Sequence, residues 1–431
     1  MPSQDPNAPG RSSAHRQKHA THTDHAPGRK RALRSQLELP ADRKPPFVSQ
    51  QGRPTDGGSV GQLAAEVIRG SNRDHPADAV LRVLLRRFGL SPADRRKVSL
   101  LVFSYYRWHG WLKNEKTVEH RLARAQEFAD RFTRNPFTLP MEQLRAKAVP
   151  GWVLDEVAAE DEWLRSLQRE PLLWLRARPG QGRSLAKRLG SARSLSSKGL
   201  SETILYEGKA DLFASEDFES GAFEIQDISS QLVGLICGAK PGETWWDACA
   251  GEGGKTLHLS DLMENRGLIW ASDRAAWRLE RLRVRAARAR VFNFRVASWD
   301  GGTGLPTRTG FDGVLVDAPC SGIGTWQRNP HARWTATLSD VSELAGIQKR
   351  LLASASAGVK PGGKLIYAVC SLARSETEAV VKDFQDRFSE FEPQPVKDPL
   401  NPDLPGAAGL WLWPQSTRGN GMFVFVWRRR V

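Results

Sequence analysis

The sequence predicts an α/β fold built on a largely parallel sheet, and three stretches carry that expectation. In Phe311 to Gly324, FDGVLVDAPCSGIG, a β-branched run from Val314 to Val316 ends in Asp317 and then in a turn of proline and glycine that holds Cys320. A short uninterrupted apolar run is the pattern of a strand buried on both faces. PGGKLIYAVCS repeats the arrangement, with a strand from Lys364 to Val369 and Cys370 at its carboxyl end. The third stretch is a strand through Thr244 to Trp246, the glycine-rich turn from Asp247 to Thr256, a helix from Leu257 to Met263, and a strand from Leu268 to Ser272 that closes on Asp273. Glycines at a helix N-terminus let backbone N–H groups approach a ligand, and an acid roughly 20 residues further on commonly meets ribose hydroxyls. This order points to an adenosine-containing cofactor. A third strand near Phe292 to Val296 leads to Asp300 at the same sheet edge.

A chain of 431 residues has room for two or three domains. Its 63 Lys and Arg against 48 Asp and Glu leave a net charge of +15, which favours a polyanionic partner. Nucleic acid comes before membrane, because no stretch approaches the roughly 18 apolar residues of a spanning helix; a merely soluble basic protein is the plain alternative. The four cysteines, Cys237, Cys249, Cys320 and Cys370, show no metal-ligand spacing. Free thiols in a reducing compartment fit this usage better than a disulfide framework or a zinc site. With no apolar leader core at the N-terminus, the expected location is cytoplasmic.

In chain order, residues 1–57 are rich in His, Arg, Lys, Ser, Pro and Gly and read as a disordered basic tail. Residues 58–138 are helical: Leu63, Ala64, Val67 and Ile68 form one stripe, Val80, Leu81, Val83, Leu84 and Leu85 another, and Ser91-Pro92 caps a third helix. The rings of Phe103, Tyr105, Trp108 and Trp111 fit bundle packing, while Arg95, Arg96 and Arg107 face either solvent or a phosphate backbone. Residues 139–221 read as a small α+β module, with a helix from Pro150 to about Gln168 and a strand bearing Arg176 and Arg178 that gives it positive charge. The α/β domain occupies residues 222–431. Its helix after Asp273 carries seven arginines from Arg274 to Arg290, read mostly as a solvated face with RNA contact as the minority reading.

Cys249 to Lys255, Asp317-Ala318-Pro319-Cys320-Ser321-Gly322, and Tyr367 to Ser371 followed by Glu376 and Glu378 resemble the RNA 5-methylcytosine methyltransferases of the Sun/Fmu (RsmB-like) type. Gln226 to Gln231, Arg328-Asn329-Pro330, Pro414 and Gly421-Met422-Phe423 add to the match, and residues 59 to about 112 are similar to the NusB-like helical domain of that type. The resemblance implies a Rossmann-like class I S-adenosylmethionine-dependent methyltransferase fold preceded by an RNA-binding helical domain and an RNA-contacting module. The implied substrate is RNA, ribosomal before transfer RNA, handled by a monomer with no metal and no membrane association. By the same resemblance Cys370 is the nucleophile that adds to carbon 6 of cytosine, Cys320 removes the carbon 5 proton and frees the product, and Asp317 stabilises the attacked base and lies against the cofactor. The turn of Cys249, Ala250, Gly251, Glu252, Gly253, Gly254 and Lys255 would cradle the methionine part, with Asp273 on the ribose and Asp300 near the adenine. Cys249 would be packing within that turn.

Five residues in three stretches depart from the family pattern. Gly251-Glu252 stands for Ala-Pro, Ala368-Val369 for Ser-Thr, and Asn420 for Asp. A carboxylate at Glu252 would repel a cofactor carboxylate unless it points away. Two other readings compete: a DNA cytosine-5 methyltransferase using a Pro319-Cys320 nucleophile, against which Cys370 and the helical front end argue, and a non-catalytic RNA-binding ribosome-assembly factor on a methyltransferase fold.

Overall fold

A computed structural model describes residues 59–431 except Lys198, so the tail expected over residues 1–57 lies outside the described residues. The front of the described chain is a helical layer. Helix Val60–Gly70 opens on Ser59, whose hydroxyl accepts from Gln62 N while the Gln62 side chain accepts from Ser59 N, and it buries the stripe Leu63, Ala64, Val67 and Ile68. Helix Ala77–Arg87 buries Val80, Leu81 and Leu84 but turns Val83 outward, because five apolar residues within six positions exceed one helical face. Helix Pro92–Trp108 starts on a Ser91 cap and packs Trp108 against Phe128 and Phe132 of helix Val118–Arg134. Arg107 does not share the outward face expected with Arg95 and Arg96. It is buried where the helix end meets the rest of the protein, and burial pushes its guanidinium down to about 10.

The single helix expected from Pro150 to Gln168 is broken into Val153–Glu156 and Asp161–Ser166 by extended backbone at Val157. Glu156 is held across the break by Ser375, whose N–H and hydroxyl both donate to its carboxylate. The small module comes next, as an antiparallel sheet in the order β2-β3-β1-β4, with β1 Leu173–Ala177, β2 Ala192–Ser194, β3 Thr203–Tyr206 and β4 Phe223–Ile225. Its strand arginines do not present positive charge to solvent. Arg176 and Arg178 converge on the two oxygens of Asp261 in helix Gly254–Leu262, Arg178 at 2.8 Å. In the opposite sense, buried Glu224 on β4 accepts from Arg285 at 2.8 Å and Arg288 at 2.5 Å on helix Ala276–Arg288. Two arginines of that helix therefore work inside the fold rather than on a solvated face.

The main sheet runs β10-β12-β9-β8-β5-β6-β7, with β11 beside β12. Its strands are β5 Thr244–Asp247, β6 Leu268–Asp273, β7 Phe294–Ser298, β8 Phe311–Asp317, β9 Val359–Val369, β10 Phe391–Gln394, β11 Leu410–Leu412 and β12 Met422–Arg429. From β7 to β9 every pairing is parallel, and β12 closes antiparallel on β9. The chain builds outward from β5 through β6 to β7 and then crosses to β8 on the other side of β5. That reversal is the place where open α/β sheets bind ligands, beyond the carboxyl ends of the strands.

The helical layer is continuous with this sheet domain. Ile323, Trp326, Leu372 and Ala373 share one apolar core with Val102, Trp108, Leu144 and Trp163. At its centre Arg333 is fully buried and, among the described residues, reaches no carboxylate. Its guanidinium donates to the carbonyls of Ala148 at 3.0 Å and Leu167 at 2.9 Å, with longer bonds to Arg107 and Trp326 at 3.4 Å. Burial lowers its pKa to about 9. Arg333→Met keeps much of the volume but strips these carbonyls of donors, and should lower the unfolding free energy by about 3 kcal/mol in urea denaturation at neutral pH.

Candidate active site and cofactor cradle

β8 and β9 pair with Asp317 opposite Ala368, so the residues beyond them emerge side by side at one sheet edge. Ala318 N donates to Ala368 O at 2.9 Å, and the left-handed turn at Gly322 brings Gly324 N to Cys370 O at 3.0 Å. Gly421 N in turn donates to Gly324 O at 2.7 Å, an approach so close that a Cβ on Gly324 would lie 2.0 Å from Gly421 O. Between these backbone ties Cys320 Sγ and Cys370 Sγ stand 3.1 Å apart. Cys320 as donor favours the thiolate at Cys370 and lowers its pKa; burial and Asp317 oppose this, while Lys255 and Arg328 assist it. The same hydrogen bond, with burial, raises Cys320 well above the ordinary thiol value. The two thiols are thus made unequal by their contact. Burial raises Cys237 to about 12 and holds Cys249 far above the usual range. Ala368 and Val369 are fully buried, so the apolar pair that replaces Ser-Thr leaves no hydroxyl to satisfy.

At the next strand ends lies the glycine turn. Gly251 and Gly253 have φ of 55° and 87°, and a Cβ at Gly251 or Gly254 would meet nothing within 4 Å, which leaves open space above the helix N-terminus. Glu252 points away from that space, to Arg281 Nη1 at 2.9 Å, while Arg285 donates to its carbonyl at 2.9 Å. Asp273 braces the turn from below, accepting from Gly251 N at 3.0 Å and Ala275 N at 2.8 Å. Lys255 is buried, with its Nζ 2.6 Å from Asp317 Oδ2. Burial disfavours its charge, but Asp317 outweighs that, with Asp247 and Cys370 adding, so the ammonium stays protonated. Asp300 is exposed and accepts from Gly302 N at 3.0 Å in a local turn.

Asp247 joins this group without having been singled out from sequence. It is fully buried, its Oδ2 accepts from Thr256 Oγ1 at 2.7 Å, and its Oδ1 has no partner among the described residues. Burial raises its carboxyl to about 7. The available signal was positional: β5, β6 and β8 each end in an aspartate. Open space over the glycines, a bare carboxylate oxygen beneath them and Glu252 turned aside fit a ligand with an ammonium and a nucleoside. Iodoacetamide should modify Cys370 before Cys320 and leave Cys237 to last, as read by peptide mass spectrometry. The Cys370 rate should also level off at a lower pH than for a free thiol of pKa about 8.5, because the thiolate is the reacting form.

Residues 235–427 match the model of the 16S rRNA methyltransferases RsmB/F. A probable ribosomal RNA small subunit methyltransferase B of Synechocystis is 37% identical over 42% of this chain and 41% of its own length, and its Bacillus subtilis counterpart is 34% identical over 43% and 42%. A putative methyltransferase of Mycobacterium tuberculosis is 32% identical over 64% of this chain and 59% of its own. The chain thus spans about half the length of the curated relatives it matches. Among solved structures, PH0851 superposes with a TM-score of 0.71 over 86% of this chain and 99% of that one at 23% identity, a likeness of fold. A methyltransferase homologue from Pyrococcus horikoshii gives a TM-score of 0.56 at 26% identity, over 70% and 99%. The fold is that of the class I S-adenosylmethionine-dependent methyltransferases. Over residues 235–427, the chain is similar to the RsmB/F methyltransferases.

Proposed function

We propose that the protein is an S-adenosylmethionine-dependent RNA cytosine-C5 methyltransferase acting on ribosomal RNA. The observation that carries this reading is the pair of thiols 3.1 Å apart, chemically unequal, beside Asp317 and Lys255. Carbon 5 of cytosine is a weak nucleophile until a thiolate adds at carbon 6. Cys370, favoured as thiolate, makes that addition. Asp317 lies where the ring nitrogen gathers electron density, shares the proton that neutralises it, and is held in place by Lys255. The cofactor supplies an electrophilic methyl group. Once Cys370 is bonded to carbon 6 it no longer accepts from Cys320, which is then free to ionise and take the carbon 5 proton as Cys370 departs.

The cradle residues divide the cofactor between them. Asp273 takes the ribose hydroxyls, Asp300 lies toward the adenine, and the turn from Cys249 to Lys255 takes the methionine end. The unpartnered Oδ1 of Asp247 is an acceptor for the methionine ammonium. Ribosomal RNA is the substrate named for the small-subunit methyltransferase relatives, and the target base must leave any stack to reach the thiols. The assembly-factor reading drew support from Glu252 crowding the cofactor; with Glu252 held by Arg281 that support is gone.

Cys320→Ala, incubated with RNA and S-adenosylmethionine, should accumulate a covalent protein–RNA band on a denaturing gel, and adding Cys370→Ala should abolish it. Absence of that band with every RNA, together with no binding of labelled cofactor, would sink the catalytic reading. Glu252→Gln should leave cofactor affinity within about twofold by calorimetry, since an exposed pair such as Glu252–Arg281 contributes little.

A further inference from the structure

Directly behind the two thiols lies a carboxylate that none of these steps uses. Glu376 is fully buried, and each polar group that reaches its carboxylate is a donor. Ser321 N at 2.8 Å and Gln348 Nε2 at 3.0 Å meet Oε1, while the hydroxyls of Ser321 and Ser371 meet Oε2. Gln348 places its other amide hydrogen on Pro319 O at 2.9 Å. The residues on either side of Cys320 and the residue after Cys370 therefore hang on one carboxylate and its amide partner. Tyr367, three residues before Cys370 on β9, fixes the carboxylate's own backbone by donating to Glu376 O at 2.6 Å.

Donors on both oxygens suit an ionised carboxylate, which only accepts. Burial pushes the Glu376 carboxyl up, and the hydroxyls of Ser321 and Ser371 with Ser321 N and Gln348 pull it only part of the way back, so it stays raised. An anion buried for stability alone is seldom favourable, whereas one that ties two separate segments fixes their relative position. Cys320 sits on a proline and glycine turn whose backbone bonds to the β9 side leave its flank free; the carboxylate supplies the remaining anchor.

We propose that Glu376 is a positioning residue that ties the Cys320 and Cys370 loops to one another, so that the nucleophile and the thiol that frees the product stay in register through the reaction. This rests on the roles given above to the two cysteines. In Glu376→Gln the amide hydrogens would face the Ser321 N–H and the hydroxyls, so at least one tie is lost with little change in volume.

The test has one arm without RNA and one with it. Diamide, an azo oxidant, takes two electrons and two protons from a pair of thiols as their sulfurs join. The rate at which a Cys320–Cys370 disulfide forms, followed by non-reducing peptide mass spectrometry with Cys320→Ala as the blank, reports how well the pair is held. Glu376→Gln should slow this by roughly tenfold or more, since a misplacement near 1 Å carries penalties of that order. With RNA and cofactor, the same variant should turn over at least about tenfold more slowly with RNA KM within about twofold, and should accumulate the covalent band that the unaltered protein does not. Ser321→Ala removes one tie without setting donor against donor; it should show the same changes at smaller size and decides the matter if Glu376→Gln does not fold. Slower oxidation with no covalent band from any variant, Cys320→Ala included, would keep the tie and reject the cytosine chemistry. Unchanged oxidation rates in both variants, whatever their melting temperatures, would overturn the proposal.

Discussion

The site depends on one strand pairing. Two parallel neighbours necessarily end at the same edge, and the register of Asp317 against Ala368 sets which residues share it. A slip by one residue would send alternate side chains to the opposite face and part the thiols. The pairing is irregular only near its start, between Phe311 and Gly313, where β9 carries extra residues around its Pro-Gly-Gly turn. Beyond that point it stays in step to the strand ends. The turns beyond the strand ends are held by short backbone bonds through Gly324 and Gly421, so the geometry is carried by main chain before any side chain contributes.

Charge is handled in the opposite way, through side chains buried in pairs. Asp317 is matched by Lys255, Glu224 by Arg285 and Arg288, and Asp261 by Arg176 and Arg178. These pairs set five cations against three carboxylates, so they withdraw only two positive charges from the net +15. Glu376 and Asp247 stand apart as buried carboxylates with no cation in an ion pair among the described residues, one surrounded by donors and the other half bare.

Strands that end in an acid or a thiol were legible in the sequence, because a strand buried on both faces must be apolar throughout and the first polar residue marks its end. β6 could be read in this way nearly to the residue, and β8 at its carboxyl end, although β8 begins at Phe311, three residues ahead of the apolar run. β7 was displaced by two residues because its edge position leaves Arg295 and Ser298 outside and blurs the pattern. Roles that depend on distant segments were not legible. Arg107 and Arg333 look like surface arginines until residues as far apart as Ala148 and Arg333 meet. Glu376 was among the residues that carry the family resemblance, but its place in a turn before a helix gives no hint of burial, and its ties to the two cysteine loops show only in the fold. Asp247 sits at the head of the glycine turn, where the glycines speak for backbone contacts; its one sequence signal is its place at the end of β5, matching Asp273 on β6 and Asp317 on β8.

Arg333 also constrains how a protein of this kind can be rebuilt by recombination. Its acceptors come from Arg107, Ala148 and Leu167, all ahead of the sheet domain, as well as from Trp326 within it. A different front end fused to the same sheet domain would have to present carbonyls in matching places or enclose a bare cation in an apolar core. Exchange of one half alone would therefore call for a compensating change at residue 333.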